Sequence, residues 1–268
     1  MKYHWDSYKT WKKVKDADVV YLQSNPTIYI PIWHVKHTFK KTPIVCSIYD
    51  VYVVPAWYDV KTTSERPKSE NRFIQKYNIS TDKFVCQYAG SLGYVFNYKT
   101  ILELAERLQK KDNDILVEVI GDGPIKDTFV KEAQERGLDN IAFYPLQPVS
   151  IVPDVYSACD VEIIPLKKGV IGNGTPSKAP ILMACKRLII NSVEAWSKYS
   201  KSFKDNDMGL SIDIDDLDGL ADAVCWAKNN PQRVKEMTEN AYTFVCEHFS
   251  STKSLETLSE MLKKYAVS

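Results

Sequence analysis

Short apolar runs alternate with amphipathic stretches through most of this 268-residue chain, and from residue 81 onward the alternation is regular. Phe84–Ala89 is a β-rich apolar run that ends in Gly90-Ser91-Leu92-Gly93. Ile101, Leu104, Ala105 and Leu108 then recur at i, i+3, i+4 and i+7, the spacing of one helical face. Ile115–Ile120 reads as a second strand, closed by Gly121-Asp122-Gly123-Pro124 and followed by a helix to about Arg136. Further strands are expected at Ile141–Tyr144, Val161–Pro165, Leu188–Ser192 and near Gly209–Ile212. Helices are expected near Pro153–Ala158, at Ser177–Lys186 and at about 216–229, 231–247 and 252–265. Apolar strands alternating with amphipathic helices define an α/β fold, a Rossmann-like parallel sheet covered on both faces. Ligands of such sheets sit at the carboxyl ends of the strands.

The amino-terminal part is less regular. The pattern predicts a strand at Asp18–Leu22, a helix within Ile28–Phe39, a strand at Pro43–Ile48 and another at Val51–Pro55. Only Tyr49-Asp50 separates the last two, without the turn residues a hairpin requires. From Lys61 to Asn78 the chain turns polar, the composition of a linker. The expected organisation is an amino-terminal portion over 1–60, a linker over 61–80, the sheet domain over 81–230, and carboxyl-terminal helices over 231–268 that pack back toward the amino-terminal part.

Composition narrows the function classes. With 35 basic and 34 acidic side chains the net charge is +1, which gives no general pull toward nucleic acid or acidic lipid. Lys2, Lys9, Lys12, Lys13 and Lys15 read as a solvated basic face; a weak peripheral membrane contact through Tyr3, Trp5, Tyr8 and Trp11 is the alternative. The six cysteines are widely spaced, with no C-x-x-C, so zinc and thioredoxin-like chemistry are not expected and they read as buried thiols. No signal peptide and no membrane-length apolar run is visible, and the expected setting is the cytoplasm.

Three glycine-rich loops each follow a strand and precede a helix, an arrangement that suits phosphate. Two common phosphate-binding patterns fail. Gly121-Asp122-Gly123 has Lys126 where a dinucleotide fingerprint needs its third glycine, and the loop over 169–174 is followed by Thr175-Pro176 rather than the lysine of a P-loop. A dehydrogenase and an NTPase are therefore disfavoured.

An ordered set of segments carries a resemblance: Tyr88-Ala89-Gly90-Ser91-Leu92-Gly93, Val119-Ile120-Gly121-Asp122-Gly123-Pro124, Asn140-Ile141-Ala142-Phe143, Ala158-Cys159-Asp160-Val161, Ile164-Pro165-Leu166 and Pro176-Ser177-Lys178. In order and spacing it is similar to family 4 glycosyltransferases, retaining GT-B enzymes that build bacterial capsules, exopolysaccharides and O-antigens. The resemblance covers about residue 50 to the end, most closely 81–193. It implies a GT-B-like donor domain with Gly90, Ser91, Leu92 and Gly93 over the donor diphosphate. Gly121 and Asp122 join the substrate-binding set, an Asx-type cap being the alternative for Asp122. Tyr144 and Leu146 would run along the base. Gly174, Thr175, Pro176, Ser177 and Lys178 would present amides and an ammonium to the diphosphate, fixed donors that stabilise a leaving group as its charge develops. No metal or other cofactor is then expected. The implied partners are a nucleotide-sugar donor, UDP-linked by the family alone, and a glycan or lipid-linked acceptor, which would bring the enzyme to the inner face of the membrane.

The chain departs from the family's pattern at two places. The family's two glutamates, eight positions apart, fall on Asn173 and Ile181; Asn173 can still bond a sugar hydroxyl and Ile181 cannot. The amino-terminal residues resemble only the later portion of an acceptor domain, so a truncated α/β portion is expected there. Asp50, at the end of its acceptor-side strand, is the one catalytic candidate on that side, with a strand-end turn acid as its alternative; Asn173 is the other catalytic candidate. Two functions remain open at this point: a hexosyltransferase of the retaining type, and a truncated or degenerate member that binds nucleotide-sugar or a partner without turnover.

Overall fold

The computed structural model describes residues 20–24, 44–48, 63–171 and 176–266. The chain divides into two compact units, one of residues 1–57 with 248–268 and one of residues 58–247. In the first unit, β1 (Val20–Ser24) and β2 (Ile44–Ile48) pair in parallel with Val20 opposite Ile44. β1 begins two residues later than the apolar run Asp18–Leu22 suggests, and β2 falls within the expected run. The helix expected within Ile28–Phe39, the strand expected at Val51–Pro55, and Asp50 lie outside the described residues.

The larger unit opens with a 3-10 turn at Lys68–Glu70 and α1 (Arg72–Tyr77), inside the stretch whose polarity suggests a linker. The Asn71 side chain caps α1 by accepting from the amides of Phe73 and Ile74, and Asn78 ends it in the left-handed conformation. Only Phe73 and Ile74 of α1 are buried, too few to show as a period. Asp154 anchors the helix: its carboxylate accepts from the Arg72 backbone amide and guanidinium, and its carbonyl accepts from Asn71.

Beyond α1 come β3 (Phe84–Ala89), α2 (Tyr98–Lys111), β4 (Ile115–Ile120), α3 (Lys126–Glu135), β5 (Ile141–Tyr144), α4 (Val152–Ser157), β6 (Val161–Pro165), α5 (Ala179–Ala184), β7 (Leu188–Ser192), α6 (Lys198–Asp205), β8 (Leu210–Ile212), α7 (Leu217–Asn229) and α8 (Pro231–Phe249). α9 (Ser251–Ala266) follows in the other unit. Helix α5 is shorter than the expected Ser177–Lys186, because Lys186 adopts a left-handed φ of 52° and turns the chain into β7. Helix α6 has no counterpart in the periodicity; it stands on the Ser197 cap and on two buried rings, Tyr199 and Phe203, one turn apart.

The six strands of the larger unit form one parallel sheet in the order β5-β4-β3-β6-β7-β8. The order reverses between β3 and β6, the switch point at which open α/β sheets leave a crevice. One face carries Cys86 and Tyr88, Val117 and Val119, Val161 and Ile163, and Leu188 and Ile190, packed with Leu104 and Leu108 of α2 and Leu220 and Val224 of α7. This face is the hydrophobic core, and α2 was legible because its apolar stripe pays into it at helical spacing.

The opposite face is unusual at its centre. Glu118, Gln87 and Glu162 stand side by side in register on β4, β3 and β6, each fully buried. Glu118 accepts one bond from Gln87, at 3.4 Å, and burial pushes its carboxyl up to about 7. The folded state thus prefers the protonated acid. The stability from this group is full below the ordinary carboxylate range and is lost as pH rises through about 7. Glu118→Gln is therefore expected to melt with a flatter pH dependence between pH 5 and 8 than the parent, in thermal unfolding followed by circular dichroism. Parallel curves for the two proteins would show that Glu118 does not titrate in this window. No helix among the described residues is long and apolar enough to cross a membrane.

Candidate functional site

The crevice at the switch point is built by strands that part. β3 and β6 are paired only at Cys86↔Val161 and Gln87↔Glu162, whereas β3 and β4 are paired over all of β3. Beyond Gln87 the Ala89 amide donates to the Glu162 carboxylate at 2.9 Å. The chain after β3 then folds back onto the end of β6, with Asn97 N–H donating to the Pro165 carbonyl and Lys167 N–H to the Val95 carbonyl, both at 3.0 Å. Gly90-Ser91-Leu92-Gly93 is left as a loop over the carboxyl edge of the sheet.

In that loop the amides alternate in their use. Gly90 N–H donates to the Ile120 carbonyl and Leu92 N–H to the Asp122 carbonyl, each at 2.9 Å. Ser91 N–H and Gly93 N–H have no acceptor among the described residues. Two neighbouring free amides on a glycine-rich turn are donors for an anion. The loop is held from below by Tyr88, whose hydroxyl donates to the Ser91 carbonyl at 2.7 Å and whose ring stacks on Phe96 at 3.9 Å.

The second glycine loop braces the first. A Cβ on Gly121 would lie 2.0 Å from the Gly90 carbonyl oxygen, and one on Gly123 would lie 2.4 Å from the Leu92 carbonyl oxygen. Both loops thus touch backbone to backbone, which only glycine permits. The amides at Gly121 and Gly123 are satisfied, by the Tyr144 carbonyl and by the Asp122 carboxylate. Asp122 caps its own loop rather than the helix, since α3 begins only at Lys126. These contacts give Gly121 and Asp122 a packing role in shaping the first loop.

Lys178 enters from the other side of the crevice, at the start of α5. Its ammonium donates to Glu162 Oε1 at 2.8 Å and to the Ala89 carbonyl at 3.3 Å, and lies 3.8 Å from the centre of the Tyr88 ring. It is not a solvated lysine: its side chain is 17% exposed and Glu162 is fully buried. Burial pushes the Lys178 ammonium toward the neutral amine, and the Glu162 carboxylate opposes that. Burial likewise pushes the Glu162 carboxyl up, against the Lys178 charge and the Ala89 amide. The six-residue α5 contributes little macrodipole, so the positive end of the crevice is this ammonium.

The remaining expected residues separate into three groups. Pro176 and Ser177 lie immediately before α5, beside Lys178. Tyr144 ends β5 with its ring against Phe73 at 5.4 Å and Tyr77 at 5.1 Å, while Leu146 just beyond is 61% exposed. Asn173, Gly174 and Thr175 lie outside the described residues, as does Asp50. Two residues of the site were not anticipated, Tyr88 as an aromatic support and Glu162. The signal for Glu162 was available: a carboxylate in the middle of an otherwise apolar central strand, Val161–Pro165, has to be paired. Among the described residues no group of three His, Cys, Asp or Glu could hold a metal ion.

A six-stranded parallel sheet with its crevice at the β3/β6 switch point is a GT-B-like α/β fold, and solved structures share it. One is Alr3699/HepE of Anabaena, solved in complex with UDP and glucose, with a TM-score of 0.62 at 15% identity over 92% of this chain and 64% of that one. The chain belongs to the family described as Glycosyl transferases group 1, whose model matches residues 69–244. Among curated relatives it is similar to the Escherichia coli (strain K12) protein WcaI, named for colanic acid biosynthesis glycosyl transfer, at 27% identity over 57% of this chain and 37% of WcaI. It is also similar to the Pseudomonas aeruginosa protein WbjE, named as a glycosyltransferase, at 27% identity over 63% of this chain and 42% of WbjE. The chain thus spans about two fifths of the length of these relatives.

Proposed function

We propose that the crevice between β3 and β6 binds the diphosphate of a nucleotide-sugar, and that the chain serves transfer of the sugar to a glycan or lipid-linked acceptor in surface-polysaccharide synthesis. The observation that carries the reading is the Gly90–Gly93 loop, whose Ser91 and Gly93 amides have no acceptor among the described residues, following Ala89, to which the Lys178 ammonium is bonded, at the point where open α/β sheets hold their ligands. A nucleoside diphosphate leaves with growing negative charge. Donors fixed by a packed loop stabilise that charge without reorganising, and the ammonium, tied to Ala89, is fixed in the same way. By the family resemblance Asn173 bonds a hydroxyl of the sugar and Leu146 serves the base. The donor is UDP-linked and the transfer is of the retaining, hexosyl type by the family resemblance, with no resident metal. The work is done at the cytoplasmic face of the membrane.

Binding without turnover is the second reading. It is favoured by the family's second glutamate position, which holds Ile181, a residue within α5 with no hydrogen-bonding side chain. A panel of UDP- and GDP-sugars assayed for nucleotide release separates the two. The first reading expects release with at least one donor, slowed about tenfold or more by Lys178→Ala, the worth of one charge-assisted contact. UDP binding with no release from any donor would establish the second. A melting temperature unmoved by every nucleotide would sink both, since a ligand at 100 times its Kd adds about 2.7 kcal/mol.

A further inference from the structure

We infer that Glu162 is a positioning residue for donor binding, holding the Lys178 ammonium and the Ala89 amide together at the mouth of the Gly90–Gly93 loop. The inference rests on the nucleotide-sugar reading above and assigns a residue that reading does not use. Glu162 Oε1 accepts both bonds, from Lys178 at 2.8 Å and from Ala89 N–H at 2.9 Å. With the β3/β6 ladder ending at Gln87↔Glu162, the carboxylate takes the place of a β6 carbonyl for Ala89. The loop that follows is tied to the same cation by a second route, because the ring below Lys178 belongs to Tyr88, whose hydroxyl holds the Ser91 carbonyl. One carboxylate therefore fixes where the ammonium stands and where Ala89, the residue that leads into the loop, ends β3.

The charge of Glu162 matters as much as its reach. Around the Lys178 ammonium the other described contacts are a carbonyl and an aromatic face, and burial favours the neutral amine. Without the carboxylate, the lysine loses the partner that sets its place and that opposes the pull of burial toward the neutral amine. Glu162 Oε2 is buried with no partner among the described residues, so both bonds of the carboxylate run through Oε1.

The test is a double-mutant cycle on binding of UDP-glucose by isothermal titration, with the full chain and with folding checked by melting temperature. Glu162→Gln keeps the shape and removes the charge, and is expected to weaken binding about tenfold or more. Glu162→Asp keeps the charge and is expected to recover most of that loss. In the Lys178→Ala background Glu162→Gln should not alter affinity by more than about twofold, because the Gln side-chain oxygen still accepts from Ala89 N–H and only the hold on Lys178 is removed. The inference is overturned if Glu162→Gln binds within about threefold of the parent, if Asp rescues no better than Gln, or if the losses at 162 and 178 add. Should Glu162→Gln alone not fold, the neutral pair Glu162→Gln with Lys178→Gln is compared with Lys178→Gln. Equal affinity supports the inference and a further tenfold loss, about 1.4 kcal/mol, overturns it. A parent protein that binds neither UDP-glucose nor any other nucleotide-sugar would instead remove the functional reading itself.

Discussion

Gly121→Val is expected to cost about 3 kcal/mol or more of stability, at the upper end for overpacking, and to leave little folded protein at 37 °C. The reason is geometric. The new Cβ would lie 2.0 Å from the Gly90 carbonyl oxygen and 3.2 Å from the Gly90 carbonyl carbon, and both are backbone. No rotamer change relieves a backbone clash, so the loops must separate. That breaks the bonds from Gly90 N–H to Ile120 and from Leu92 N–H to Asp122. Chemical denaturation followed by tryptophan fluorescence measures the loss. A variant within about 1 kcal/mol of the parent would show that the two loops have room to part.

Phe129→Ala carries the other large effect, about 3–5 kcal/mol for removing a buried aromatic ring from a packed core. Phe129 of α3 is wholly buried and meets Phe143 edge-on at 5.0 Å, Tyr98 at 5.5 Å and Phe96 at 5.9 Å. These rings join β5, α2 and the loop after β3, so the cavity would open beneath the site as well as in the core. Phe96 stacks on Tyr88, and Tyr88 holds Ser91. The variant should therefore lose stability in denaturant titrations and bind nucleotide more weakly even at temperatures where it is folded. Loss of stability with unchanged nucleotide affinity would disconnect this cluster from the site.

What the sequence showed and what it hid divide along the range of the interaction. The six strands of the sheet were legible because each is a short apolar run closed by a turn, and α2 because Ile101, Leu104, Ala105 and Leu108 repeat at helical spacing. Helix α1 was hidden in a polar stretch, since its stability comes from the Asn71 cap and from the distant Asp154. Helix α6 was hidden for the same reason, resting on Ser197 and two rings. In the site, the glycine loops were visible as sequence, but the reason for Gly121 was not. A φ preference can be guessed from a turn, whereas an approach of 2.0 Å to Gly90 is set by tertiary packing. Lys178 was legible as a cation at the crevice; its partner Glu162, sixteen residues earlier on a central strand, was visible only as an acid out of place.

The central claim is that a nucleotide diphosphate lies on the Gly90–Gly93 loop. A crystal structure of the chain grown with UDP tests it most directly. The account predicts diphosphate oxygens on Ser91 N–H and Gly93 N–H, with the Lys178 ammonium facing them across the crevice. UDP bound away from the carboxyl ends of β3 and β6, or an empty crevice at saturating UDP, would contradict it.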